Sequence, residues 1–376
     1  MVALISRSRH EWTVFTSHYE PESTFREFAD FKVVPVGDVS VRRDIGSVFT
    51  AALGIVRTRL PLEGFDAFAV WCDGLGPLTT FRNHNLPALC ICSTPLRAAY
   101  DPLYAREALR SRKLPARLAY HLFKHVFRLV DRLAWRHFDG VVATSLEVKE
   151  RIVRNHLYPD NRRMVLCHPG IDVREAPKQV SYEPFLLVPG RISWTKNIEL
   201  AIDAFRAAGL PAPWRLVVAG FVDQKSRRYL EELKQRADVD ARIEFVVAPS
   251  DEQLHRLYET AYAVLFTPLN EDWGMAVLEG MLRSKPILAN ASGGPKESVE
   301  NGVTGWLLEP KVEPWAELIR RLPDQPETVR RMGEQARLSV EKYDWSRFVG
   351  GVDALVESAV RPTPAFVHDP TIELAT

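Results

Sequence analysis

Short apolar runs alternate with longer amphipathic stretches along the chain, and this alternation predicts a parallel α/β architecture. In the first half, residues 12–16, 65–71, 86–92 and 140–143 read as strands, with helix-patterned segments between several of them. Residues 1–8 (MVALISRS) lie too close to the strand at 12–16 for a parallel crossover. They read as the tail of a helix whose preceding strand is absent, with an antiparallel edge hairpin as the alternative. Ser145 caps a helix over 146–156, and 165–172 (VLCHPGID) is a strand running into a Pro-Gly turn. His168 in that turn reads as part of an architectural joint rather than as a catalytic base.

A second alternation begins at 185–188, after a Pro-containing segment, 176–184, that reads as a linker. Strands at 215–219, 243–247, 263–266, 286–289 and 306–308 follow. The pattern therefore divides the chain into an N-terminal α/β domain (1–175) and a C-terminal α/β domain (185–342). A helix at 343–360 crosses back to the first domain, and the tail at 361–376 is expected to be disordered.

Composition narrows the class. A chain of 376 residues, 46% apolar and 26% charged with a net charge of +1, describes a soluble globular protein with no electrostatic case for nucleic acid. No apolar run is long enough to span a membrane, and Arg7, Arg9, His10 and Glu11 interrupt the opening apolar residues, so a cytoplasmic protein without a signal peptide is expected. Cys72, Cys90, Cys92 and Cys167 lack paired zinc spacing and read as structural thiols. Asp238-Val239-Asp240 follows a charged helical stretch instead of an apolar strand, which argues against a metal motif. Neither metal nor other cofactor is expected.

One segment departs from the balanced charge. Residues 103–138 carry nine Lys or Arg against two acidic residues, interleaved with Leu, Val, Phe and Trp. The segment fits a helix pair with a solvated basic face. The alternative is a surface for an anionic membrane or a lipid-linked acceptor, which would make the protein peripheral at the inner face of a membrane.

Candidate chemistry gathers at strand ends, where open parallel sheets bind ligands. In 268–281 (PLNEDWGMAVLEGM) Glu271 lies in a loop and Glu279 in the helix that follows, so two carboxylates suited to hydroxyl groups flank a helix start suited to an anion. The strand at 185–188 runs into Pro189-Gly190-Arg191-Ile192-Ser193-Trp194-Thr195-Lys196-Asn197, where Arg191 and Lys196 on a Gly-led loop are placed to hold a diphosphate. Two loops in the first half could form an opposing wall: one with Gly74 and Gly76, the other with Ser93, Thr94, Arg97 and Asp101. Ser292-Gly293-Gly294-Pro295 offers a further glycine turn into a helix.

The runs GRISWTKN, EDWGMAVLEGM and SGGPKESVENGVTGWLLEP occur in this order, and together they resemble the retaining glycosyltransferases of family 4. STPLRAAYD, DRLAWRHFDGVVATSLEVKERI and HPGID are similar to the branch of GDP-mannose-dependent mannosyltransferases of polysaccharide assembly. The resemblance implies the GT-B fold, two Rossmann-like domains facing each other across a cleft. It implies that Arg191 and Lys196 neutralise the donor diphosphate, that Glu271 positions the donor sugar and that Glu279 takes the ribose hydroxyls. Gly190, Trp273, Gly274, Met275 and Ala276 would complete the donor site, with Val247 near the base. The branch usually carries a histidine where this chain has Ser93. The family's first strand and Gly-Gly loop have no counterpart, so the chain is expected to begin late, with an in-frame apolar strand and paired glycines encoded upstream.

The expected activity is retaining, metal-independent transfer of a hexose from a nucleoside diphosphate sugar, GDP-mannose or a UDP-sugar. The acceptor is a hydroxyl of a glycan, a glycolipid or a natural product. Two competing readings remain: an epimerase or hydrolase that consumes donor without acceptor, and an inactive partner subunit. A nicotinamide dehydrogenase is disfavoured because no Gly-x-Gly-x-x-Gly opens either half.

Overall fold

The computed structural model describes the chain apart from residues 18, 21–23, 25, 37–44, 73, 110–112, 160–162, 178 and 361–376. Asp73, Arg110, Arg112 and the tail thus lie outside the described residues. The chain divides into two compact units.

The first unit comprises Met1–Ala143, Glu150–Cys167 and the chain from Val349 onward. Strands β1 (Thr13–Thr16) and β2 (Lys32–Pro35) pair in parallel as a two-stranded sheet. Strands β3 (Phe68–Cys72), β4 (Ala88–Cys92), β5 (Gly140–Ala143) and β6 (Met164–Leu166) form a separate parallel sheet in that order. Val2–Arg7 is helical, so the hairpin alternative is set aside. A cavity of about 1530 Å³ lies within this unit, lined among others by Leu4, Trp12, Phe15, Phe68, Leu89 and Ile91. β4 is buried at all five positions, as a central strand covered on both faces must be. Cys72, Cys90 and Cys92 fall in this layer with sulfurs within 4.8 Å of one another, and burial pushes the Cys90 and Cys92 thiols up. A long helix, Leu114–Trp135, packs against the turn Gly76–Phe81 and the helix Arg97–Tyr100 and buries Tyr120, Phe127, Asp131, Ala134 and Trp135.

The second unit, Thr144–Lys149 and His168–Phe348, is built on one six-stranded parallel sheet. Its strands are β7 (Phe185–Pro189), β8 (Arg215–Gly220), β9 (Ile243–Val247), β10 (Ala263–Phe266), β11 (Ile287–Asn290) and β12 (Gly305–Leu308). The order is β12-β11-β10-β7-β8-β9, so the winding direction reverses between β7 and β10. Period-two alternation splits each strand between two cores. Leu186, Val188, Leu216, Val218, Ala263 and Leu265 pack under the helices Ile198–Ala208 and Val312–Arg321. Leu187, Val217, Val264 and Phe266 pack on the other face with the helices Met275–Leu282 and Pro326–Ser339. Because both faces are covered, these strands read as unbroken apolar runs.

The division between units falls at Cys167/His168, earlier than the Pro-containing segment suggests. His168–Glu175 belongs with the second unit because the Ile171 N–H donates to the Tyr343 carbonyl at 2.8 Å. The segment 176–184 is not free chain: the Ser181 and Glu183 N–H groups donate to the Glu259 and Thr260 carbonyls. The last helix, Trp345–Val360, is divided at Phe348/Val349.

Lys285 is buried just ahead of β11, where its ammonium donates to the Ser181 carbonyl and lies 4.1 Å from the centre of the Tyr182 ring. Burial pushes its pKa down from 10.5 to about 7. A folded pKa below the unfolded one means that the unfolded chain binds the extra proton between those values, so this group makes stability rise as pH rises from about 7 towards 10.5. Denaturant unfolding of the wild type and Lys285→Met at pH 7 and pH 9 should show the wild type gaining about 2 kcal/mol relative to the variant over that interval. A difference that stays constant with pH would mean that Lys285 titrates normally.

Candidate functional site

Open parallel sheets take ligands where the winding reverses, which here is at the C-terminal ends of β7 and β10, whose connections run to opposite sides of the sheet. The first loop leaves β7 through Gly190 at φ +117°, a left-handed backbone that favours glycine. It is held to the neighbouring strand by Gly190 N–H to the Ala219 carbonyl and Ile192 N–H to the Phe221 carbonyl, both 2.9 Å. A Cβ on Gly220 would lie 1.7 Å from the Gly190 oxygen, so only glycine fits at the end of β8. The loop tightens into one 3-10 turn, Trp194–Lys196, and turns through left-handed Asn197 into the helix Ile198–Ala208. Arg191 is exposed and, among the described residues, pairs with no carboxylate.

The second loop leaves β10 through Thr267, whose hydroxyl donates to the Lys196 carbonyl at 2.8 Å. Asn197 donates to the Thr267 carbonyl, and Asn290 at the end of β11 donates to the carbonyls of Thr267 and Pro268. These bonds join the two loops ahead of the Lys196 and Glu271 side chains. Lys196 Nζ then donates to Glu271 Oε2 at 2.9 Å, with both side chains about one-fifth exposed. The sequence placed these groups in one site, and the structure bonds them directly.

A third turn braces the second loop. Gly294 N–H donates to the Glu271 carbonyl at 2.8 Å, and the Ser292 hydroxyl accepts from Asn270 N–H. A Cβ on Gly293 would lie 2.1 Å from the Glu271 carbonyl oxygen, and one on Gly294 would lie 2.3 Å from that of Trp273. The glycine turn at 292–295 thus seats against the Glu271–Trp273 backbone.

Gly274, at φ +104°, opens the helix Met275–Leu282; Val277 N–H donates to the Gly274 carbonyl at 3.0 Å, and the Met275 and Ala276 amides lie ahead of that first bond. Met275 and Ala276 at this start are half-buried. Glu279, one turn on, accepts from the Tyr258 hydroxyl at 2.6 Å. Tyr258 is buried and its pKa is raised by burial and by Glu279, so it stays protonated and fixes the carboxylate. Nothing in the spacing signals Tyr258. Val247 lies exposed at the end of β9, where Ala248 N–H donates to the Gly220 carbonyl. Trp273 is buried: its ring lies 4.4 Å from that of His168 and its N–H donates to the Pro169 carbonyl at 2.9 Å. Its side chain anchors the loop. His168 also bonds Glu297 at 2.8 Å. Asp240 is engaged by Arg242, whose hydrogen bonds hold its carboxyl below the usual range.

The proposed opposing wall lies in the first unit. Gly74 is buried, and a Cβ on Gly76 would lie 2.8 Å from Val70. Ser93 N–H donates to the Cys72 carbonyl at 2.9 Å, and Arg151 donates to the Thr94 hydroxyl at 3.2 Å. Arg97 forks onto Asp101 at 2.9 and 2.6 Å, and the other Asp101 oxygen accepts from Leu103 N–H. Asp101 is buried and caps the helix Pro102–Leu109, so its acceptor capacity is used within the fold.

A family model described as glycosyl transferases group 1 matches residues 172–339. The chain is 32% identical over 368 residues to the alpha-1,3/1,6-mannosyltransferase ALG2 of Mus musculus, covering 89% of this chain and 86% of that protein. It is 33% identical over 228 residues to the protein of the same name from Rhizomucor pusillus, covering 52% of this chain and about half, 49%, of that relative's length. The structure of Anabaena Alr3699/HepE in complex with UDP and glucose superposes with a TM-score of 0.71 at 17% identity, covering 95% of this chain and 94% of that one. The likeness shows that the two-domain fold is GT-B.

The brace can be tested by filling its contact. Gly293→Ala should cost about 1–3 kcal/mol in denaturant unfolding because the Glu271 backbone must move. Gly350→Ala, in a helix with open space around it, should be neutral or stabilising. Equal effects would show that the turn tolerates a side chain.

Proposed function

Since this chain belongs to the group 1 glycosyl transferases, we propose that it moves a hexose from a nucleoside diphosphate sugar to a hydroxyl of a glycan or lipid-linked acceptor, with retention at the anomeric carbon. Mannose from GDP-mannose is the donor we favour, because the relatives are mannosyltransferases by name. The observation that carries the reading is the Lys196–Glu271 pair at the winding reversal, beside exposed Arg191.

In this proposal the donor diphosphate lies over the start of the helix Met275–Leu282, where the first-turn amides and the helix dipole favour negative charge. Arg191 and Lys196 supply the positive charge that the departing diphosphate needs as the bond from the anomeric carbon to phosphate oxygen breaks. These side chains take the role that a divalent ion fills in other transferases, so the transfer proceeds without metal. Glu271 holds Lys196 in position and faces the sugar; Glu279, fixed by Tyr258, takes the ribose hydroxyls. The acceptor oxygen bonds the anomeric carbon on the face the phosphate leaves, and its proton passes to the departing phosphate oxygen. The base lies near Val247, at the end of β9. No part of this scheme draws on Ser93.

Arg191→Ala, Lys196→Ala and Glu271→Ala should each lower turnover roughly tenfold or more with folding intact, as loss of a transition-state charge contact does. Transfer is measured as sugar moved to acceptor, and free nucleotide is followed in parallel without acceptor. Near-wild-type transfer by a variant would remove that residue from its role. Nucleotide release that needs no acceptor would replace transfer by hydrolysis or epimerisation.

A further inference from the structure

The helix Leu114–Trp135 has two apolar faces, and packing within the first unit covers only one. Tyr120, Phe127, Ala134 and Trp135 are buried. On the opposite side Leu114, Leu118, Leu122, Val126, Leu129 and Leu133 follow one another at intervals of three or four residues, the spacing of a single helical face. Each of the six is 47–67% exposed. The stripe runs the length of a 22-residue helix, about 33 Å. Isolated exposed leucines are common on soluble proteins; a continuous aliphatic row is not.

Charge identifies what covers it. Lys113, Arg117 and Arg136 are exposed; at 100° per residue Arg117 lies along one edge of the stripe, and Arg136 follows its C-terminal end. Arg128 and Arg132 on the same edge are half-buried, bonded to the Ala99 and Asn155 carbonyls. The helix contains one acidic residue, Asp131, which is buried and accepts from the Tyr100 hydroxyl at 2.8 Å. The outward face is therefore aliphatic and cationic, with no carboxylate to repel an anion. Among the described residues no helix is long and apolar enough to cross a membrane, so this face suits lying on a surface and not spanning one.

We infer that the helix Leu114–Trp135 docks the protein on an anionic phospholipid bilayer, its aliphatic row entering the boundary between headgroups and acyl chains and its cations meeting lipid phosphates. The aliphatic row supplies the apolar burial, and the cations supply selectivity for negative charge. A protein partner of matched size would need an acidic rim around an apolar groove. A bilayer supplies both features along the whole helix without register. The inference stands on this helix alone and does not depend on the reaction proposed above.

The test is flotation of the full chain with vesicles of phosphatidylcholine alone or with about 30% phosphatidylglycerol. The wild type should float with the anionic vesicles and stay behind with the neutral ones. Leu118→Glu combined with Leu122→Glu and Leu129→Glu should cut the floated fraction roughly tenfold or more, with the thermal midpoint unchanged because the positions are exposed. Arg117→Ala with Arg136→Ala should weaken binding to anionic vesicles at the same ionic strength. Failure of the wild type to float, or equal flotation of the triple glutamate variant, would overturn the inference. So would sedimentation showing a wild-type dimer that the triple variant dissolves, since the row would then be covered by a second copy.

Discussion

Contact between two loop backbones sets the geometry of the candidate site. The 292–295 turn approaches Glu271 and Trp273 so closely that a Cβ at Gly293 or Gly294 would lie 2.1 or 2.3 Å from a carbonyl oxygen. Such contact fixes the loop after β10 without any side chain, and Asn290 and Thr267 extend the bracing back to the loop after β7. Only then does the Lys196–Glu271 pair follow. At about one-fifth exposure it lies between surface ion pairs, worth about 0–1 kcal/mol, and buried ones whose desolvation can exceed their attraction. Its value is therefore positional: it presents an ammonium at a set place beside a helix start, and the glycine contacts, not the ion pair, hold the loop there.

The second unit was legible because its signals are strong and local. Phe185–Pro189 and Ala263–Phe266 are fully buried apolar runs, and each leads directly into the loop that carries the polar groups. Arg191, Lys196 and Glu271 thus fall on loops at strand ends by pattern alone, and Glu279 on the helix that follows. The bracing was not legible, because a glycine turn looks the same in sequence whether its amides face an anion or another backbone. Tyr258 illustrates a second limit. It lies on the helix Asp251–Thr260, so its bond to Glu279 depends on helix packing. Trp273 stood within the motif and was read with it, yet burial against His168 and Tyr343 makes it an anchor.

The first unit resisted for a physical reason. Lys32–Pro35 is a four-residue strand exposed at both ends and closing on proline, too short to show period two. Asp101 and Arg97 read as acceptor-facing polar residues, but a buried Asp at a helix start is a cap, and burial cannot be read from spacing. The division at Cys167/His168 was hidden similarly, since the hydrogen bonds that tie residues 168–184 to the second unit reach partners some seventy to 170 positions away.

The long helix shows the opposite case, in which the pattern was plain and its meaning was not. Residues 103–138 announced both a basic face and abundant leucines, and sequence alone left a solvated helix pair and a lipid surface open. Burial separates them. Were the face simply solvated, the leucines would fall on the buried side and the cations would point outward alone. Instead the buried side takes the aromatic residues, and the six aliphatic ones stay outside beside the cations. A helix that buries Phe127 and Trp135 does not need a second apolar row for its own stability. Such a row exposes hydrocarbon to water at every turn, a cost that falls only when something apolar covers it. The arrangement is accounted for by contact with a surface that is hydrocarbon within and anionic at its rim.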